Sequence, residues 1–113
     1  MKTIFCDIDG TILRHSKGIY TLDREQPVLP GALEKFQEWS CNSYKIILTT
    51  ARPDSARRIT EAQLEKAGIT YHTLIMGLPC GERILINDTK PDGTITARAY
   101  SIERDKGIEE VEA

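Results

Sequence analysis

Ile4-Phe5-Cys6-Asp7-Ile8-Asp9-Gly10-Thr11-Ile12-Leu13 is the stretch that decides the fold of this chain. It is a short apolar strand ending in two carboxylates one residue apart, followed at once by Gly-Thr. In a strand Asp7 and Asp9 share a face. Gly10 lets the backbone bend just past the strand's carboxyl end, where open α/β sheets place their ligands. Two acids there need a cation between or near them. Mg²⁺ suits the setting, because it takes one or two carboxylates and fills its other positions with water and substrate phosphate. An Asp-Gly turn after a hydrophobic strand is the bland reading. A hydrophobic run ending in Asp-x-Asp-Gly-Thr near the amino terminus is much more specific than that.

With 113 residues the chain reads as one domain over 1–113, with room for a single core and none for a large inserted cap. Its hydrophobic fraction of 40% and charged fraction of 28% are those of an ordinary soluble globular protein. A net charge of -2 gives no global pull toward acidic membrane or nucleic acid, so a nucleic-acid partner is disfavoured though not excluded. No apolar run approaches a membrane span, and Met1-Lys2 leads into the first strand without a signal-peptide layout, so a cytoplasmic location is expected. Cys6, Cys41 and Cys80 fit neither a disulfide framework nor a zinc site. Cys6 reads as a small apolar residue of a buried strand.

Residues 14–29 are polar and without sustained periodicity, which predicts a loop or flap. Pro30-Gly31 opens a helix to about Ser40, with Leu33, Phe36, Gln37 and Trp39 on its apolar side. Tyr44 to Thr50 is β-rich, Ala51 to Asp54 is a turn, and Asp54 or Ser55 can cap a helix running to about Ala67, where Gly68 stops it. Tyr71 to Met76 and Arg83 to Asn87 read as third and fourth strands, Pro91-Asp92-Gly93 as a turn, and Ile95 to Ile102 as a strand at the sheet edge. The charged tail, about 103–113, is expected to fray. This order predicts an α/β protein: a three-layer α/β/α Rossmann-like fold with a mainly parallel sheet.

Asp7-Ile8-Asp9-Gly10-Thr11 closely resembles the first signature of the haloacid dehalogenase (HAD) superfamily, most of whose members are Mg²⁺-dependent phosphohydrolases working through an aspartyl-phosphate. The resemblance implies that Asp7 attacks phosphorus and ligates Mg²⁺. It implies that Asp9 protonates the leaving oxygen, later deprotonates water, and gives its backbone carbonyl to the metal. Ile46-Ile47-Leu48-Thr49-Thr50-Ala51-Arg52 looks like the second signature, a strand ending in a hydroxyl. Such a strand can cradle phosphate through the Thr50 side chain and backbone N–H groups of the turn such as that of Ala51. Arg52, alone of the arginines in that region, is favoured as a phosphate contact over a solvated surface role.

Ile84-Leu85-Ile86-Asn87-Asp88 stands where the family's fourth, metal-completing signature falls, with Asp88 as the third metal ligand and Asn87 or Asp92 as further candidates. The departure is in the third signature. Small relatives often carry Gly-Lys-Pro before the last catalytic strand, and this chain has Gly77-Leu78-Pro79. The substitute cation is Lys90 or Arg83, with Lys90 preferred. Taken together, the resemblance implies a small capless phosphatase acting on a small phosphorylated metabolite such as a sugar phosphate. A macromolecular substrate, either a nucleic-acid end or a phosphoprotein, is the enzyme alternative. A phosphate- or metal-binding module without turnover, supported by Leu78 and Asn87, is the non-enzyme alternative. Without a cap the site is open, so a homo-oligomer or the loop from Arg14 to Val28 is expected to cover it.

Overall fold

The computed structural model describes residues 1–18 and 26–113. Part of the expected 14–29 flap therefore lies outside the described residues. Strand β1 (Thr3–Asp7) is followed by helix α1 (Ala32–Cys41), strand β2 (Lys45–Thr49), a 3₁₀ turn at Asp54–Ala56, helix α2 (Arg57–Ala67) and strand β3 (Thr73–Ile75). The strands lie in the order β1-β2-β3 and all pair in parallel, with Asp7 opposite Thr49 and Thr49 opposite Ile75. Parallel neighbours need a crossover, and each helix supplies one. This is the expected Rossmann-like α/β winding.

Alternation along the strands sets the core. Cys6, Ile46, Leu48 and Leu74 point to one face, where they cluster with Phe36 and Trp39 of α1 and Leu64 of α2. Phe36 and Trp39 also touch as a tilted aromatic pair at 5.1 Å. Both crossovers step the same way across the sheet, so right-handed connections lay both helices on that face. Among the described residues no helix covers the opposite face, where Phe5 is 57% and Ile75 38% exposed. Gly68 ends α2 as its sequence position suggested, in a left-handed conformation at φ 76° with its N–H on the Glu65 carbonyl.

Two expected strands do not form. Residues 83–87 and 95–102 carry no strand, and the sheet stops at three members. The reason is connection length. A fourth strand parallel to β1 needs a crossover of a dozen or more residues, and only residues 77–82 separate Met76 from Arg83. The segment instead forms an exposed, hairpin-like arm that reverses where the Lys90 N–H meets the Thr94 carbonyl, within a molecule measuring 51 × 29 × 25 Å.

The carboxyl-terminal tail does not fray. Ile108 is buried in the core, Val111 packs against it, and the Ile108 N–H donates to the Pro30 carbonyl at 2.9 Å. Gly107 sits so close to Pro30 that a side chain there would collide with its carbonyl. Counting charges missed this anchor, because two apolar residues three apart suffice to dock a tail. Ile108→Ala is expected to destabilise the protein by about 2–4 kcal/mol in urea unfolding, the range for emptying a closed apolar site. A surface tail would give almost no change.

Candidate active site at the carboxyl end of β1

Just beyond β1 the chain makes a tight loop around one carbonyl. The N–H groups of Thr11, Ile12 and Leu13 all reach the Ile8 oxygen, at 3.2, 3.0 and 3.1 Å, and the Gly10 N–H donates to Leu13 at 2.7 Å. Gly10 has a positive φ of 84°, and a Cβ there would stand 3.0 Å from Cγ of Arg104. A glycine is thus required both by the turn and by the approach of the tail. The loop holds Asp7, Asp9 and Thr11 around a cleft of about 270 Å³, closed on its other side by Ile102 and Arg104.

The two acids differ in their surroundings. Asp7 accepts a hydrogen bond from the Thr11 hydroxyl at 3.2 Å and opens to the cleft. Loss of water around it pushes its carboxyl above the usual range, while the Thr11 and Ile8 donors and the charge of Arg83 pull the other way. Asp9 is clamped. Arg52, fully buried, donates Nη2 to Oδ1 at 2.7 Å and Nε to Oδ2 at 2.8 Å. Arg52 Nη1 continues to Thr60 Oγ1 at 3.0 Å and Gln63 Oε1 at 2.6 Å; Gln63 donates to Gln26, and Gln26 returns to Asp9 Oδ1 at 3.2 Å. A ring of three side chains, Arg52, Gln63 and Gln26, closes on the Asp9 carboxylate.

Thr50 is buried one residue past β2, its hydroxyl oxygen accepts the Arg52 N–H at 3.1 Å, and it is not among the residues that line the cleft. Ala51 is half-buried between them. Arg52, expected at the phosphate, has its guanidinium directed to Asp9, Thr60 and Gln63. Its burial is the reason, since an arginine desolvated against a carboxylate takes up a bidentate pair.

Asp88 and Lys90 both lie on the exposed arm; the Asp88 backbone carbonyl accepts the Thr96 hydroxyl, and the Lys90 N–H closes the arm's turn. Asp92 accepts the Thr94 N–H at 3.0 Å; hydrogen bonding from the Thr94 side chain, and then from its N–H, holds the carboxyl below the usual range and explains Asp92 as a turn residue. Asn87 donates to Thr96. Arg83, at the arm's base, donates to the carbonyls of Pro79 and Gly81, and its charge reaches Asp7. Sequence reasoning missed Arg104, Gln26 and Gln63. Arg104 carried no signal, since it sits in a charged tail more than ninety residues from Asp9.

Cys6 stays out of the chemistry, as burial and the neighbouring Asp7 charge push its thiol up to about 12. For a hard cation the described residues offer Asp7 and Asp9 on one cleft, and no group of three or more His, Cys, Asp or Glu side chains gathers among them. Both Asp9 oxygens are held by Arg52, so the Asp7 carboxylate is the one open to a cation; one carboxylate with a backbone carbonyl, water and phosphate satisfies the smallest Mg²⁺ site, so the donor chemistry fits. No helix among the described residues is long and apolar enough to cross a membrane.

Solved structures share this fold. The chain is similar to a chain in the structure of a Pnkp1/Rnl/Hen1 complex, with 24% identity, TM-score 0.58, and coverage of 74% of this chain and 30% of that one. It is similar to a protein from Vibrio cholerae with 22% identity, TM-score 0.55 and coverage of 78% and 80%. It is also similar to D,D-heptose 1,7-bisphosphate phosphatase from B. bronchiseptica, solved with magnesium and phosphate, with 19% identity, TM-score 0.50 and coverage of 67% and 49%. No protein-family model and no curated protein sequence matches the chain. At these identities the likenesses establish the fold, which is HAD-like.

Two outcomes test the geometry. Arg52→Met leaves Asp9 in a pocket built for a cation and should cost about 3–5 kcal/mol in urea unfolding; adding Asp9→Leu should recover part of that loss. Asp7 titrates with a folded pKa above its unfolded value near 3.8, so its ionised form opposes folding as pH rises through the folded value. In EDTA, Asp7→Asn should therefore raise Tm at pH 7–8, with the gain vanishing as pH falls below the ordinary carboxylate range. Equal Tm values at every pH would contradict this.

Proposed function

We propose that this protein is a phosphomonoester hydrolase in which Asp7 attacks phosphorus and forms an aspartyl-phosphate. The observation that carries the reading is the division of labour between two acids on one cleft: Asp7 is open to it, and Asp9 is held beside it by a buried guanidinium. The HAD-like fold supports the reading, and so does the likeness to a phosphatase solved with magnesium and phosphate. Asp7 and the backbone of Asp9 would hold Mg²⁺, which supplies charge neutralisation at the transferring phosphoryl group.

The Thr50 hydroxyl and the Ala51 N–H would donate to equatorial oxygens. Arg104, rather than Lys90 or Arg83, would supply the cation that Leu78 does not, because Arg104 lines the cleft. Arg52 is a positioning residue that fixes the Asp9 carboxylate. Both Asp9 oxygens are engaged, so proton transfer to the leaving group requires Asp9 to exchange one Arg52 bond for substrate. A cleft of about 270 Å³ suits the phosphorylated end of a small metabolite such as a sugar phosphate. The competing reading is a binding module without turnover, and the placement of Asp88 on the exposed arm favours it.

Phosphate release from a panel of phosphomonoesters, with and without Mg²⁺, decides between them. Turnover that requires Mg²⁺, disappears in Asp7→Asn and Asp9→Asn, and falls roughly 10²-fold in kcat in Arg104→Ala is the expected result. Wild type as inert as Asp7→Asn, yet binding Mg²⁺, would establish the module instead.

A further inference from the structure

β1 is both the edge of the sheet and the strand that carries Asp7, and nothing among the described residues pairs with its outer side. Natural proteins cover or blunt such an edge. The face beside it is equally open at Phe5 and Ile75. Elsewhere in the chain stands an unpaired strand sequence: Ile84, Leu85 and Ile86 on the arm are 77%, 56% and 89% exposed, and Ile95 on the other limb is 76% exposed. Large apolar residues clustered at such exposure mark a surface that another chain covers.

The arm cannot return to its own β1 in the parallel sense, as the six residues 77–82 are half of what a crossover needs. Both of its ends are also pinned at the carboxyl end of the sheet. The Gly77 and Leu78 N–H groups donate to Arg52 and Thr50 on one side, and the Asp105 N–H donates to Gly10 on the other. Between those anchors the arm projects outward.

We infer that two copies of this chain exchange arms, residues 83–88 of each adding a strand to the β1 edge of the other and covering its open face. The lengths match, since Ile84 to Asp88 has the five residues of β1. The area is also sufficient. Six large apolar side chains, at roughly 200 Å² each when fully exposed, present on the order of 700 Å² per copy. Burial on both copies reaches the ~1,200–2,000 Å² of a stable interface. The exchange is isologous and closes at two copies. In the parallel sense, and resting on the phosphatase reading, it also delivers Asn87 and Asp88 to the partner's Asp7, so that the cleft is shared between the two copies.

Light scattering on a sizing column tests the exchange without any assay of activity. Wild type should run at twice the 12.7 kDa chain mass, and Ile84→Lys/Ile86→Lys at the single mass with its helical far-UV circular dichroism retained. Hydrogen exchange on wild type alone should protect 3–7 and 83–88 together, and only at concentrations where the dimer persists. A wild-type monomer at about 100 μM, an undiminished dimer in the double variant, or protection confined to other segments would overturn the exchange. The shared site has its own readout. Asp7→Asn and Asp88→Asn copies, mixed and refolded together, should regain turnover that neither has alone. A dimer that regains none, although wild type is active, would overturn the shared site and leave the arm exchange standing.

Discussion

A guanidinium without solvent exposure organises this molecule. Arg52 leaves the end of β2, and its bonds run to the loop after β1, to two turns of α2 and, through Gln63, to Gln26. Taking that charge out of water costs several kcal/mol, and only a full set of acceptors offsets it. Buried ion pairs of this kind add little net stability, but they penalise every arrangement in which a partner is missing. The pair therefore fixes where the β1 loop sits relative to α2. That in turn fixes the direction of Asp9 and the width of the cleft that Asp7 faces.

The second constraint is economy of chain. Two crossovers in one direction cover one face of a three-stranded sheet, and among the described residues no helix covers the other. The tail is used instead to close the site, with Ile108 in the core and Arg104 over Gly10. The arm is what remains after those anchors are satisfied. A site without a cap thus borders an edge strand, an open face and an apolar hairpin, so assembly and chemistry meet at one end of the sheet.

Much of the site could be read locally. Asp7, Asp9 and Gly10 follow one another in sequence, and the alternation of a strand places both acids at its end whatever the distant packing. Thr50 ends the second apolar run and is buried there, apart from the residues that line the cleft. Arg52 was legible as important but not as to role, since a turn arginine beside a phosphate loop and one folded under an aspartate have the same sequence. Gln26, Gln63 and Arg104 were not legible, because each owes its place to a contact many residues away. The fourth strand was expected from composition alone. Ile84-Leu85-Ile86 has the residues of a strand, yet a strand also needs a neighbour within reach.

By itself the sequence determined the winding of this protein: apolar runs of period two and helices of period 3.6, stopped by Gly68 and bent by Gly10, give a parallel α/β sheet with acids at a carboxyl end. These are local properties, set by sterics and by side-chain direction within a few residues. Tertiary structure decided which charges meet. Whether Arg52 faces solvent or Asp9, whether the tail frays or seats Ile108, and whether residues 83–88 join a sheet all depend on distance in space and on the length of the connections between elements. Periodicity carries no information about either.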